Sequence, residues 1–313
     1  MKYFIYLQYD GTNYHGWQTQ PDAVTVQETI EQKLSMLLRR QIFIVGAGRT
    51  DAGVHASQMV AHFALTENQA VREPEEAEEL STAATTEKAA KTDVQPETVP
   101  TGSATETGSE NNASTPLELS AEELKTLTFK LNQVLPADIV IQKIIPVRDE
   151  AHARFSPISR TYRYYITTHK ALYNRDFVMR MYEPLDIEMM NHACAKLFCY
   201  EDFTSFSKLH TDTKTNNCKI MEAYWTARPA EQTVKGWEYD YVFTIKADRF
   251  LRNMVRAIVG TLIQVGRHRM TIQEFAQVIE QKNRCTAGDS VPAKGLFLEE
   301  IEYPDEIFFG EEY

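Results

Sequence analysis

The sequence predicts an α+β fold built as two packed lobes with mainly antiparallel sheets. Three observations predict it: runs of strand composition spread from Lys2 to Leu298, segments with apolar residues at three- to four-residue spacing among them, and their order. That order reads strand, helix, strand, insertion, helix, strands, helices, strand, which is an α+β arrangement. A chain of 313 residues with 43% apolar content can bury one large core or two ordinary ones.

The first strand is Lys2-Tyr3-Phe4-Ile5-Tyr6-Leu7-Gln8-Tyr9, closed by the Asp10-Gly11 turn, and an aromatic loop, Thr12 to Gln18, follows. Trp17 in that loop reads first as a packing residue. From Thr25 the period becomes helical through Val26, Ile30, Leu34 and Leu37, with Thr25 as N-cap and Glu28 completing a capping box. Ile42-Phe43-Ile44-Val45 reads as a buried strand, and Met59 to Phe63 as its partner. Residues 66–116 change character to Glu, Ala, Thr, Ser and Pro, a composition that cannot bury enough apolar surface to offset the entropy of ordering, so a disordered surface insertion is expected. Ser120 and Glu123 form a second capping box before a helix carrying Leu124, Leu127, Leu131 and Leu135. Strands follow at Ile139 to Ile145 and Arg160 to Ile166. Alternation in the latter puts Tyr162 and Tyr164 on one face, Arg163 and Tyr165 on the other. A short helix, Met189 to Leu197, precedes a polar loop, Lys208 to Asn217. Next come strands at 223–226 and 239–246 joined near Lys235-Gly236, a helix beginning in Asp248 to Arg256, another from Thr271 to Gln281, and a closing strand at Gly295 to Leu298.

The formal net charge of -11 argues against a nucleic-acid partner only until it is located. Residues 66–116 hold eleven acidic and three basic side chains, net -8, so the rest carries -11 + 8 = -3. Its basic residues cluster at Arg39 and Arg40, at Arg148, Arg154, Arg160 and Arg163, at Arg249, Arg252 and Arg256, and at Arg267 and Arg269. Phosphate affinity follows local patches of this kind rather than the sum. No apolar run approaches the ~20 residues of a membrane span, and Met1-Lys2 leads into a strand rather than a signal peptide, so the expectation is a cytoplasmic protein. Cys194, Cys199, Cys218 and Cys285 have neither zinc nor redox spacing and read as free thiols.

The most informative stretch is Gly46-Ala47-Gly48-Arg49-Thr50-Asp51-Ala52-Gly53-Val54-His55-Ala56. Three glycines in eight residues, after an apolar run, describe a tight loop displaying Arg49 and Asp51 at the end of a sheet. Alone, a glycine turn with a surface ion pair would look the same.

Taken with its neighbours, the loop resembles that of the tRNA pseudouridine synthase A family. The motifs are Tyr9-Asp10-Gly11 with Gly16-Trp17-Gln18, G-R-T-D-A-G-V-H-A at 48–56, H-A-R-F-S at 152–156, R-T-Y-R-Y-Y at 160–165, D-F-T-S-F at 202–206 and M-V-R-A-I-V-G at 254–260. Six motifs in one order are specific where each alone is weak. The resemblance implies the pseudouridine synthase fold with an active-site cleft between the lobes. It divides the chain into 1–65, an N-terminal lobe with the catalytic loop; 66–116, the insertion; and 117–313, the rest of that lobe and the C-terminal lobe. It implies isomerisation of uridine to pseudouridine at positions 38, 39 and 40 of the tRNA anticodon stem-loop, with no cofactor, no metal, and a homodimer across which one tRNA reaches. Asp51 takes the family's catalytic aspartate, Tyr162 its base-contacting tyrosine, and Arg256 the basic residue that pairs with the aspartate. Arg49 is a further substrate-binding candidate, or a structural fork pinning loop carbonyls.

The residue types suit the chemistry. Exchanging an N-glycosidic bond for a C5–C1′ bond calls for a carboxylate able to act as nucleophile or base, and a guanidinium from Arg256 or Arg49 would fix its direction. A tyrosine ring can stack on the flipped uracil, or its hydroxyl can move a proton. Two other classes compete: an RNA-binding module using sheet aromatics without Asp51, and a glycosidase, which needs two carboxylates flanking the bond. His55 reads as structural, and His152 and Arg154 as either phosphate contacts or a solvated loop.

Overall fold

The computed structural model describes residues 1–65, 118–208, 215–228 and 239–310. The 66–116 insertion, the turn near Lys235-Gly236 and part of the Lys208 to Asn217 loop lie outside the described residues. The elements are β1 (Lys2–Tyr9), α1 (Val26–Leu38), β2 (Val45–Gly46), β3 (His55–Ala64), α2 (Ala121–Val134), β4 (Ile139–Val147), β5 (Ser159–Thr167), β6 (Met179–Arg180), α3 (Ile187–Leu197), β7 (Ile220–Ala227), β8 (Tyr241–Ala247), α4 (Met254–Gly266), α5 (Ile272–Glu280) and β9 (Leu296–Glu302).

The strands form one nine-stranded sheet in the order β4-β1-β3-β9-β5-β8-β7, with β2 beside β3 and β6 beside β5. Along this path every pairing is antiparallel except β3 with β9, a parallel seam of two register pairs, His55↔Phe297 and Ala56↔Leu298. The α+β expectation with mainly antiparallel pairing holds, and the two lobes share a sheet through this seam. Two apolar cores flank it. One joins β1, β3 and β4 to α1 and α2 through residues such as Leu7, Ile30, Leu34, Phe63 and Leu131. The other joins β5 and β8 to α3, α4 and α5 through Tyr164, Leu197, Phe243, Ile258 and Phe275. Each such side chain, fully buried, contributes about 1.5–3 kcal/mol. Tyr162 packs against both cores.

Local chemistry decides the helix starts. Ser120 with Glu123 and Thr271 with Glu274 form reciprocal capping boxes. Thr25 accepts from the Glu28 N–H as expected, but the Glu28 carboxylate turns away to accept from Gln32, so that box is half made. α4 starts later than expected, at Met254 rather than near Asp248. Asp248 instead accepts from the Lys219 and Arg249 N–H groups, and Asn253 leads into the helix in the left-handed region, φ 67°, without a side-chain cap.

The expected strand at Ile42 to Val45 is a correction. Only Val45 and Gly46 pair in the sheet; Ile42 and Ile44 are extended against α1, whose polar side chains take the place of a neighbouring strand. The Ile42 N–H donates to Ser35 Oγ, the Ile44 N–H to Glu31 Oε1, and Gln27 Nε2 donates to the Ile44 carbonyl. A buried backbone needs partners, and side-chain amides and carboxylates serve as well as a ladder.

Candidate active site

The glycine loop between β2 and β3 is held from below by residues 9–17, which explains why the two motifs occur together. The Trp17 N–H donates to the Thr50 carbonyl at 3.2 Å and the Gly53 N–H to the Tyr14 carbonyl at 3.4 Å. The Tyr9 and Thr50 hydroxyls are 2.8 Å apart. Gly16 has φ 92°, and a Cβ there would lie 2.4 Å from the Thr50 oxygen, so only glycine fits. Trp17 is buried against Gly46 and beside Tyr9, the packing role expected of it.

This support carries Asp51 to the seam, where it meets α4. Arg256 Nη1 lies 3.2 Å from Asp51 Oδ2, and Arg252 Nε lies 3.5 Å from Oδ1. The carboxylate is 24% exposed, Arg256 21% and Arg252 55%. Arg256 is also fixed from behind, its Nε donating to the Val291 carbonyl at 2.8 Å. Asn253 Nδ2 donates to Ser290 Oγ at 2.6 Å, tying the start of α4 to the same segment.

Tyr162 stands nearby on β5, half-buried, with its ring edge-on to Phe250 at 5.1 Å between centroids. Burial pushes its hydroxyl up to about 12; Arg160 pulls the other way and the Asp51 charge adds to the rise. The phenol is therefore protonated at neutral pH. Alternation holds: Tyr164 lies in the core on the same side, whereas Tyr165 packs edge-on against Phe297 and Arg163 pairs with Glu299 at 3.0 Å.

The remaining candidates separate. Arg49 lies exposed on the loop. His55 is buried between Phe177 and Phe297, its Nε2 3.2 Å from the Lys294 carbonyl. His152 stacks edge-on with His62 and its Nδ1 accepts from the Arg154 N–H, so it braces the 152–156 turn. Arg252 was visible in the sequence only as a member of a basic cluster; its spacing of four from Arg256 is the signal that pairs them. Among the described residues no group of three His, Cys, Asp or Glu side chains is placed to hold a metal ion, and no helix is long and apolar enough to cross a membrane.

The fold and the site define a class: an α+β protein with one mainly antiparallel sheet and, at its seam, a carboxylate held between two guanidiniums. Comparison with known proteins narrows that class. The family model described as tRNA pseudouridine synthase matches residues 5–101 and 193–304. Proteins named tRNA pseudouridine synthase A are similar over nearly the whole chain: one from Bacteroides fragilis is 47% identical over 307 residues, 98% of each chain. One from Parabacteroides distasonis is 48% identical over 307 residues, again 98% of each. One from Escherichia coli is 31% identical over 302 residues, 96% of this chain and 88% of its own. The chain belongs to the tRNA pseudouridine synthase family, whose members are isomerases.

Proposed function

We propose that this protein converts uridine to pseudouridine at positions 38, 39 and 40 of the tRNA anticodon stem-loop, with Asp51 as the catalytic carboxylate. The observation that carries the proposal is the 3.2 Å pair between Asp51 of the G-R-T-D loop and Arg256 of the M-V-R helix, formed across the seam beside Tyr162. In the net reaction the N1–C1′ bond is exchanged for C5–C1′, C5 loses a proton and N1 gains one. Atoms and electrons balance within the substrate, so the chemistry calls for no oxidant, reductant or cofactor.

The groups have distinct tasks. Asp51 faces the reacting nucleotide, with Arg256 and Arg252 fixing the direction of its two oxygens. Tyr162 offers an aromatic face to the extruded uracil, on which stacking is worth ~1–3 kcal/mol. Arg49, exposed on the same loop, contacts the RNA. The cleft between the N-terminal lobe, which includes residues 1–65, and the C-terminal lobe within 117–313 receives the stem-loop. A cytoplasmic homodimer completes the reading, with large apolar side chains such as Tyr173 and Tyr182 exposed on the single chain. A glycosidase reading is disfavoured because Asp51 is faced by two arginines rather than a second acid.

The test is to mix the pure protein with an unmodified tRNA transcript carrying uridines at 38, 39 and 40 and to map pseudouridine by base-specific modification and primer extension. Modification confined to those positions supports the proposal. Tight tRNA binding with no pseudouridine formed would favour the RNA-binding module. Tyr162→Phe keeps the ring and Tyr162→Leu removes it. Stacking alone predicts a ten- to hundredfold loss for Leu and little for Phe, whereas normal binding with stalled conversion in Phe assigns chemistry to the hydroxyl.

A further inference from the structure

Arg160 lies two residues before Tyr162 on β5, and its guanidinium binds three backbone carbonyls, two of them from distant segments and one from the turn just before β5. Nη1 donates to Asp248 at 2.7 Å; Nη2 donates to Ala47 at 3.1 Å and to Arg154 at 2.7 Å. Each acceptor borders the site. Ala47 is four residues before Asp51 on the same loop, Asp248 is four before Arg252 on the approach to α4, and Arg154 sits in the H-A-R-F-S turn. Arg160 is half-buried; its guanidinium hydrogens go to backbone carbonyls, and the Asp248 carboxylate nearby also favours its charge. Burial lowers the group's proton affinity, but an arginine stays charged throughout the working range.

We infer that Arg160 is a positioning residue for the isomerisation, setting where Asp51 stands relative to Arg252 and Arg256 by clamping the backbone on both sides of the seam. The inference rests on the reading that Asp51 performs pseudouridine formation. The Asp51 loop packs into the N-terminal core through Ala47 and Ala56 and reaches the C-terminal core, which holds α4, through Val54; at the site Asp51 meets Arg256 and Arg252 through partly exposed side-chain pairs at 3.2 and 3.5 Å. Such pairs aim the carboxylate but contribute too little on their own to hold the two backbones in place. A planar fork bonded to Ala47 and Asp248 ties the two backbones together. Its three acceptors are spread over two nitrogens of a planar fork, a geometry that one tetrahedral lysine ammonium matches poorly. A misplacement of about 1 Å at a reacting centre can cost 10²-fold in rate.

The experiment compares Arg160→Met, Arg160→Lys and a stability-matched control, Leu131→Ala, in the N-terminal core away from the site. Single-turnover pseudouridine formation is measured at saturating enzyme, well below each melting temperature, with tRNA affinity measured separately. Expected are a fall of about 10²-fold for Arg160→Met and at least about tenfold for Arg160→Lys, tRNA affinity within about threefold of the parent in both, and a parental rate for Leu131→Ala. If Arg160→Met does not fold, Arg160→Lys against the control carries the test. A rate per folded molecule that matches the control overturns the inference and leaves Arg160 a structural residue. A parent protein that forms no pseudouridine overturns the functional reading instead, so the two failures are distinguishable.

Discussion

The two halves of the site are built by opposite means. Asp51 is placed by backbone: its loop is pinned by Trp17 and Gly53 main-chain bonds and by glycines packed against carbonyls. Arg256 is placed largely by side chains: its Nε grips the Val291 carbonyl and Asn253 grips Ser290, with one main-chain bond, from the Val291 N–H to the Arg256 carbonyl at 3.2 Å, beside them. A carboxylate on a short side chain has few rotamers, so fixing its backbone fixes its oxygens. A long guanidinium needs an anchor near its tip. The consequence is that the acid half tolerates almost no backbone change, while the basic half depends on a few atoms at the end of one side chain.

The largest test of that contrast is Asp51→Asn. The loop is held without the carboxylate's charge, so melting temperature and tRNA affinity should stay close to parental while single-turnover conversion falls by about 10³-fold or more. Appreciable conversion would sink the assignment of Asp51. Next come the arginines, taken separately. Arg256→Met removes both the 3.2 Å pair and the Val291 anchor, and a loss of about 10²-fold in kcat is expected. Arg252→Met removes a longer pair from a side chain 55% exposed, so less than about tenfold is expected, with a shallower salt dependence of tRNA binding. Equal effects would show that the anchor at Val291 contributes nothing.

This contrast also marks what could be read in the sequence. Of the three glycines that mark a tight loop in the sequence, Gly46 packs against Trp17 and Gly53 takes φ 75°, whereas a Cβ on Gly48 would meet nothing within 4 Å; the closest approaches are in the supporting segment, where a Cβ on Gly11 would lie 2.0 Å from the Val54 oxygen and one on Gly16 2.4 Å from the Thr50 oxygen. The helix starts at Ser120 and Thr271 were legible because their caps are local. The start of α4 was not, because Asn253 is held by Ser290, thirty-seven residues on, and carries no local cap. The Ile42 to Val45 run was misread for a related reason: β-branched composition says that backbone is buried and extended, not whether a strand or the side chains of α1 will satisfy it. Arg252 and Arg160 escaped because their partners are fixed by tertiary structure. Asp51 stands out in the sequence through its motif, while the parallel β3–β9 seam that brings it to α4 has no signature in either strand.

A paired glycine test follows. Gly16→Ala demands φ 92° from alanine and puts its Cβ against the Thr50 oxygen; Gly260→Ala drives a Cβ to 1.8 Å from the Asp289 oxygen, beside the segment that anchors Arg256. Each should cost at least about 2 kcal/mol in denaturant unfolding, as close backbone approaches leave no side chain to move aside. In the molecules that remain folded, Gly16→Ala should lose the larger share of conversion, since it displaces Thr50 and Asp51 directly. The reverse order would mean that the basic half, not the acid half, is the less forgiving.

The smallest effect concerns His55, which joins the two halves near the seam. Its Nδ1 accepts from the Gly11 N–H at 3.0 Å and its Nε2 faces the Lys294 carbonyl at 3.2 Å, a pattern that suits the neutral ring protonated on Nε2. The Asp10 carboxylate, 3.0 Å from the same Nδ1, pulls toward the charged form, but burial outweighs it and lowers the group below its ordinary 6.5. Protonating Nδ1 would also strip the Gly11 N–H of its acceptor in a buried site. The sign follows from linkage. The folded protein binds the proton less readily than the unfolded chain, so the stabilisation is fully present above pH 6.5 and is lost as pH falls through the lower folded value. Chemical denaturation of the parent and of His55→Gln at pH 7.5 and pH 5 isolates this contribution, since the other titrating groups are common to both. The parent should lose more stability than the variant over that interval. An equal loss would mean that the ring takes up its proton alike in the folded and unfolded chains; a parent that loses less than the variant, or gains stability in acid, would mean that Asp10 holds the ring protonated and that the Gly11 bond is not what fixes the start of the loop's support.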